Sequence, residues 1–143
     1  MPAPNTIERR PVGGVVVPAV TAQSQYVANA ECSVQLSGAV STAEVVALTQ
    51  MIVTSTGATA AACVTVTISG LTTQQIGGNS VTYVFGVPAG AGVPAIPFAP
   101  SFDPPLMSKP GGAIRAVMGA LGAGHVGASI ILNGKIVPAT GMS

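Results

Sequence analysis

Residues 62–87 carry the clearest alternation of apolar and polar side chains in the chain, in two runs separated by a short turn segment. The apolar positions of these runs are Val64, Val66 and Ile68, then Val81, Tyr83, Phe85 and Val87. A period of two is typical of a β-strand with one face in a core and the other exposed. Gly77-Gly78-Asn79 lies between the runs and tolerates the positive φ angles of a tight reversal. The pattern predicts two antiparallel strands at the centre of a β-sheet protein.

Other runs predict further strands. They cover residues 32–36, 45–54, 114–118 and 130–136. The run 45–54 is apolar in both phases except at Gln50, which predicts a strand covered on one side by the sandwich core and on the other by a partner, or a short helix that its β-branched content disfavours. Asn133-Gly134 also suits a type I′ hairpin turn, so the last strand stays open to that alternative. Together the runs predict an all-β fold, an antiparallel β-sandwich of jelly-roll or immunoglobulin-like topology over residues 31–143.

Residues 1–30 predict an extended N-terminal arm outside that sandwich. They contain four prolines and the pair Gly13-Gly14. Proline at this density excludes a helix and favours extended or polyproline geometry. The composition is also typical of a disordered tail; we favour an arm that is held by a neighbouring subunit. Its predicted contact residues are Arg9, Arg10, Val15, Val16 and Val17.

Residues 88–112 hold seven of the 12 prolines of the chain. Because proline donates no hydrogen bond to a ladder, this stretch cannot be a central strand, and we expect a long surface loop or an edge crossover. Loops of this length are usually functional in compact domains. Such a loop either caps the sandwich or docks into a neighbour, and the sequence does not choose between the two. The apolar side chains predicted to make these contacts are Phe98, Phe102, Leu106 and Met107.

The chain has very few ionisable groups. Its 143 residues include five Lys or Arg and four Asp or Glu, 6% in all, where a soluble domain typically has about 25%. No charged residue lies between Glu44 and Asp103. A monomer normally keeps both signs of charge on its surface to stay dispersed, so we expect neighbouring protein to cover much of this surface and predict a homo-oligomer. So few cations cannot form the basic patch that nucleic acid requires.

Membrane insertion, secretion and a disulfide bond are not expected. Residues 116–132 are uncharged and almost long enough to span a bilayer, but four glycines and His125 interrupt them. The polar, proline-rich N-terminus has no apolar stretch of the kind that secretory signals contain. Cys32 shares the phase of an apolar face, whereas Cys63 shares the phase of a threonine face. We therefore expect two reduced thiols in a protein made in a cytoplasm.

No set of residues predicts catalysis, a metal site or a cofactor. His125 and Asp103 occur without a G-x-S-x-G nucleophile motif, and one histidine with two distant cysteines fits no zinc spacing. Residues 122–127 match G-x-G-x-x-G, but a strand-like run follows them and no acidic residue comes after Asp103. A dinucleotide site needs a helix and an acid in those places. We therefore interpret His125 as an ordinary loop residue and predict no enzyme and no small-molecule substrate.

Four segments, in order along residues 62–132, resemble small accessory structural proteins of tailed bacteriophages. They are TISGLT at 67–72, YVFGVPAGA at 83–91, FDPPL at 102–106 and ALGAG at 120–124. The resemblance implies a β-sandwich on a virion, a capsid decoration or cement protein with no catalytic residues. Its implied partner is the major capsid protein, and its implied place is the capsid surface after synthesis in the host cytoplasm. The proline-rich arm has no counterpart in this resemblance.

Three other functions remain as alternatives. A tail, neck or fibre component of a phage would suit the same composition. A coat protein like those of single-stranded RNA phages is weakened by the lack of basic residues. A small hydrolase has no residue set behind it.

Overall fold

The computed structural model describes residues 19–37, 41–72, 78–90, 92–120 and 122–139. Within these ranges the chain forms eight β-strands and no helix, so nothing in them is a helix of the length and apolarity that a membrane span needs. The strands are β1 (Ala19–Gln23), β2 (Cys32–Leu36), β3 (Glu44–Ser55), β4 (Ala62–Ser69), β5 (Ser80–Val87), β6 (Ser101–Met107), β7 (Ile114–Met118) and β8 (Ala128–Pro138). The predicted all-β class is confirmed.

The eight strands pair from the ends of the chain inwards, the first with the last and the two middle strands with each other. β1 pairs with β8, β2 with β7, β3 with β6 and β4 with β5, all antiparallel. Two more antiparallel pairings, β3 with β8 and β4 with β7, gather the strands into two sheets. The first sheet has the order β1-β8-β3-β6 and the second the order β2-β7-β4-β5. This is the arrangement of a jelly roll, so the predicted sandwich is of that type.

The core lies between the two sheets and is built from the alternating positions of the strands. In β4 and β5 the predicted inward side chains do face the core, and Ala62 to Ser69 pairs with Val87 to Ser80 in unbroken register. β2 and β7 show the same alternation, with every second residue buried. Removing these aliphatic side chains from water, at roughly 25 cal/mol per Å² of apolar surface, is the main force that holds the sheets together.

The apolar run of β3 combines two phases because the strand contains a bulge. Its register with both neighbours shifts between Leu48 and Gln50. One extra residue at a bulge moves the following side chains to the other face, and so Val46, Leu48, Met51 and Val53 all lie in the core. Residues 45–48 are all fully buried within the single chain, so here the cover that was predicted to come from a partner comes from the chain itself. Thr49 is the extra residue that both registers skip, and Gln50, which follows it, lies outside the core cluster.

The described part of the sandwich includes β1, which lies before the predicted domain boundary at residue 31. β1 pairs with β8 from Ala19 opposite Lys135 to Gln23 opposite Ile131, and forms an edge of the first sheet. The physical reason is that the prolines of the predicted arm end at Pro18, so the next residues can all donate to a ladder. Residues 1–18 lie outside the described residues, and with them the predicted contacts Arg9, Arg10, Val15, Val16 and Val17.

Residues 88–112 contain an edge strand. The sequence predicted a long surface loop or an edge crossover here and gave no bounds for a strand. β6 pairs with β3 through Ala47 opposite Met107, Leu48 opposite Leu106 and Gln50 opposite Ser101. Pro104 and Pro105 lie between these pairs, and the Asp103–Pro104 peptide bond is cis. β6 is the last strand of its sheet, the position where a missing N–H is tolerated.

Asn133-Gly134 does not form a hairpin turn. Both residues lie inside β8, which pairs with β3 on both sides of them. A side chain at Gly134 would run into the carbonyl oxygen of Ala47. The glycine therefore allows two strands to approach closely, and the alternative that the sequence left open is settled in favour of one continuous strand.

The topology gives the sandwich two distinct ends. The four-loop end consists of residues 24–31, 56–61, 88–100 and 119–127, which follow β1, β3, β5 and β7. The three-loop end consists of residues 37–43, 70–79 and 108–113, which follow β2, β4 and β6. Because alternate strands run in opposite directions, β1 starts at the three-loop end, and the chain before Ala19 enters the fold there.

Candidate interaction surface

Hydrogen bonds join the loops of the four-loop end. The backbone N–H of Asn29 donates to Nδ1 of His125 over 3.0 Å, and the N–H of Gly122 donates to Oδ1 of Asn29 over 3.1 Å. Asn29 has a positive φ of 44°, a conformation that asparagine tolerates better than most residues. These bonds attach the loop 24–31 to the loop 119–127.

The other two loops are attached through residues 56–61. The N–H of Thr59 donates to the carbonyl oxygen of Ala123 over 2.8 Å, which reaches the loop 119–127. The N–H of Gly57 donates to the carbonyl oxygen of Val93 over 2.8 Å, which reaches the loop 88–100. The four loops thus form one connected network, so a partner that binds this end meets a surface that is already organised.

Large apolar side chains are left uncovered at this end. Of the five that are exposed among the described residues, four belong to the four-loop end: Tyr26, Val93, Ile96 and Val126. The fifth, Val84, lies on the outer face of β5. Single exposed apolar residues are normal, but a concentration of them at one place is typical of an interaction surface.

Two of the four, Val93 and Ile96, border an apolar groove. The groove is lined by residues 86–88 and 93–96 and has a volume of about 320 Å³. Ile96 is 90% exposed, so the single chain gives this side chain almost no contact. A Cβ atom at Gly86 would lie 4.0 Å from its nearest neighbour, the carbonyl oxygen of Ala62. The groove is therefore open partly because position 86 has no side chain.

The four-loop end is almost uncharged. Glu31 is the one charged residue in its four loops. A partner of this surface would therefore be bound by burial of apolar area and by hydrogen bonds, with little contribution from charge pairs.

No family model, curated protein or solved structure matches this chain. The function of the four-loop end therefore has to be argued from its geometry and chemistry.

Phe98 and Phe102, both predicted as partner contacts, pack against the core of their own chain. The ring of Phe98 stacks on Phe85 with a centroid distance of 5.6 Å, and Tyr83 lies 6.0 Å from both Phe98 and Phe102. This cluster closes the side of the sandwich between the edge strands β5 and β6. Both rings remain half-buried, and their contact with a neighbour stays a prediction.

The remaining predicted contacts of this loop occupy different positions. Leu106 is buried in the core opposite Leu48, and its side chain is used within the single chain. Met107 is half-buried on the outer face of the first sheet, beside Ala47. The structure therefore does not bring the loop residues together with the uncovered side chains of the four-loop end.

The two edges that flank the aromatic cluster differ in their protection. Residues 94–107 run along β3 with Pro94 opposite Thr56 and Phe98 opposite Val53, and this edge contains five prolines. β5 contains no proline and no charge, and among the described residues β4 is its one ladder partner. Proline and charge are the usual means of blocking an edge strand. The edge of β5 is thus open to pairing with another chain.

A second, smaller cavity of about 160 Å³ lies between Tyr26, Gly127 and residues 54–56. The ring of Tyr26 lies over Gly127, where a side chain would overlap it. The buried hydroxyl of Ser55 has no hydrogen-bond partner. This cavity is at the four-loop end, close to the exposed Val126.

The residues considered for chemistry are separate from one another. His125 is buried, and because its Nδ1 accepts the hydrogen bond from Asn29, its proton lies on Nε2, which has no partner. Asp103 is exposed on β6, and no hydrogen bond or ion pair among the described residues joins it to His125. No cluster of His, Cys, Asp or Glu in the described part of the chain could hold a metal ion.

Both cysteines are free thiols, as expected from their phases. Cys32 is buried and its Sγ lies 3.1 Å from Oγ of Ser24, whereas Cys63 is exposed.

Sequence reasoning missed Tyr26, Val93, Ile96 and Val126. Ile96 lies in a proline-rich loop in which two phenylalanines face inward, and no periodicity distinguishes it from them. The available signal is the pairing of prolines on either side of it, Pro94 and Pro97, which limits how the backbone can turn a side chain inward.

Proposed function

We propose that this chain is a non-enzymatic structural protein of a phage virion, a decoration or cement protein that binds across capsomers of the head and stabilises the shell. The observation that carries the proposal is the four-loop end, where a hydrogen-bonded, nearly uncharged surface leaves Tyr26, Val93, Ile96 and Val126 uncovered. A concentration of uncovered apolar side chains of this kind is typical of a surface that binds another protein. The major capsid protein is the proposed partner, and the capsid surface the proposed location.

The jelly-roll topology supports the proposal. It is common in viral capsid proteins and also occurs in lectins and cupins. A fold shared by several functions raises the expectation of one of them without deciding it, so the surface remains the main argument.

The mechanism of such a protein is thermodynamic. A protein that binds the assembled shell, and not its loose subunits, stabilises the shell by mass action. The proposed protein is a homo-oligomer, and contacts to more than one capsomer through the four-loop ends of its copies raise the avidity without new chemistry. Because the surface is nearly uncharged, the affinity should depend little on ionic strength.

The test uses phage heads that lack the chain and the purified full-length chain added back to them. We expect binding that raises the temperature at which heads open. The affinity should change less than about threefold between about 0.01 and about 1 M salt, although the screening length falls from about 30 to about 3 Å. A matched pair of variants is Ile96→Asp, which should lose binding, and Ser80→Asp on β5 at the three-loop end, which should keep it. A steep loss of binding with salt, or binding to tails instead of heads, would contradict the proposal.

A further inference from the structure

The apolar groove and the start of the described chain lie at opposite corners of the sandwich. Ala19 is opposite Lys135, which is itself opposite Ala47 of β3. The groove loop is attached to the other end of β3, where the N–H of Ala95 donates to the carbonyl oxygen of Ser55 over 3.0 Å. At a rise of about 3.3 Å per residue these two levels of β3 are about 26 Å apart. β1 and the groove loop also flank opposite edges of the first sheet.

The direction of β1 leads the preceding chain away from its own groove. β1 runs from the three-loop end towards the four-loop end, so Ala19, to which the preceding chain is joined, lies at the three-loop end. Residues 15–17 precede Ala19 by two to four positions, so extended backbone carries them at most about 7–14 Å from it, less than the distance to the groove of their own chain. Pro18 disfavours helical backbone at Val17 and so favours continuation in an extended direction. A second copy placed beyond the three-loop end is within this reach.

The chemistry of the arm matches that of the groove. Residues 11–18 read PVGGVVVP, with no charge and four valines. The groove is lined by Gly86, Val87, Pro88 and the apolar residues 93–96, again with no charge. The neighbouring edge of β5 has no ladder partner on its outer side among the described residues, and an extended peptide beside such an edge gains main-chain hydrogen bonds as well as apolar contacts.

We propose that the groove of one copy binds residues 15–17 of the arm of a second copy. The proposal deepens the proposed function, since it rests on the homo-oligomer contained in it, and names the contact that builds that oligomer. The contact is heterologous, from the three-loop end of one copy to the four-loop end of the next. Repetition of such a contact gives a closed ring or an open filament, depending on the rotation between copies.

The experiment is disulfide trapping between two pools of the full-length protein in a Cys63→Ser background, which removes the exposed thiol and leaves the buried Cys32. One pool carries Val16→Cys and the other Ile96→Cys. After mixing and mild oxidation we expect a disulfide-linked dimer containing one chain of each pool. The matched control replaces Ile96→Cys by Ser80→Cys, which is exposed at the opposite end of β5. The control pair should be trapped at least about tenfold more slowly.

Other results would overturn the proposal. A doubly substituted chain that forms only an internal disulfide would show that the arm folds onto its own groove. A dimer linked only between two chains of the Ile96→Cys pool would show that grooves face each other. The absence of trapping above the Ser80→Cys control would show that the groove has a different occupant.

A blocking variant gives a second readout. Gly86→Val adds a side chain at a residue that lines the groove, where a Cβ atom would lie 4.0 Å from its nearest neighbour. Gly119→Val adds the same side chain at another position of the four-loop end, where nothing lies within 4 Å of a Cβ atom. We expect Gly86→Val to slow trapping at least about tenfold and Gly119→Val to leave it unchanged. If urea denaturation shows that Gly86→Val is unstable, Ile96→Ser takes its place as the blocking variant. The thiol of the groove pool is then supplied by Val93→Cys. Equal trapping in blocked and unblocked chains would contradict the proposal.

The trapping experiment uses the purified chain alone and is independent of any virion. Trapping can therefore fail while the chain is still found on heads, and the chain can be absent from heads while the arm still docks. The two failures are thereby distinguished.

Discussion

Backbone hydrogen bonds join the loops at both ends of the jelly roll, but the two ends differ in the apolar side chains that they leave exposed. At the three-loop end, the N–H of Lys109 donates to the carbonyl oxygen of Gly70 and that of Thr72 to Met107, a network comparable to that of the four-loop end. Yet no large apolar side chain is exposed among the described residues of the three-loop end, whereas four are exposed at the other. The high apolar content of the chain therefore does not by itself produce uncovered surface. Among the described residues, uncovered apolar side chains are concentrated at the four-loop end, which is why the proposed interaction surface is placed there.

The largest effect is expected from a substitution that breaks the four-loop network. A Cβ atom at Gly57 would run into the carbonyl oxygen of Pro88 and lie 2.8 Å from that of Gly90. Gly57→Ala should therefore lower the free energy of unfolding by about 1–3 kcal/mol, the usual cost of overpacking. Urea denaturation measures this change. The matched control at the three-loop end is Gly78→Ala, where nothing lies within 4 Å; an equal loss in both variants would remove the distinction between the ends.

An intermediate effect is expected at Asn29, which joins two loops. Asn29→Ala removes the acceptor of the Gly122 N–H and places alanine at a positive φ. We expect a loss of about 1 kcal/mol in unfolding free energy. Asn29→Gly also loses the acceptor but adopts this φ without strain, so its loss should be smaller. If both variants are as stable as the natural chain, the bonds through Asn29 do not contribute to the organisation of this end.

The smallest effect on stability is expected at the groove itself. Ile96 is 90% exposed, so Ile96→Ser should change the unfolding free energy by no more than about 0.5 kcal/mol. Association should weaken, since burying an isoleucine side chain in an interface contributes about 1.5–3 kcal/mol. Denaturation measures the unfolding free energy and sedimentation measures the association, both on the same sample. A variant that unfolds more easily but associates as before would show that Ile96 serves the fold and not an interface.

Much of the fold could be predicted because one face of each central strand is buried. In β4 and β5 burial imposes an alternation that the sequence displays directly, and their pairing follows from the short turn between them. Periodicity could not reveal the bulge of β3, because one inserted residue merges two phases into one face. It also could not find β1, whose inward side chains Val20 and Ala22 are only partly buried, or β6, whose prolines oppose strand formation in every position except an edge.

The interaction surface was less predictable than the fold. The prediction that loop 88–112 makes contacts named Phe98 and Phe102, which are large and apolar, but in the structure both rings lie against the aromatic side chains of β5. The exposure of Ile96 depends on the path of the proline-rich loop beside β3. Pairing between distant parts of the chain sets that path. Low charge was the one feature of the sequence that predicted an interface, and it did not indicate which residues would form it.

The most direct measurement is a cryo-electron microscopy reconstruction of the phage particle in which this chain is located. We expect the chain on the head, with Tyr26, Val93, Ile96 and Val126 each covered by another protein chain. A chain that is absent from the particle, or one whose four-loop end faces solvent while other surfaces make the contacts, would contradict the proposed function.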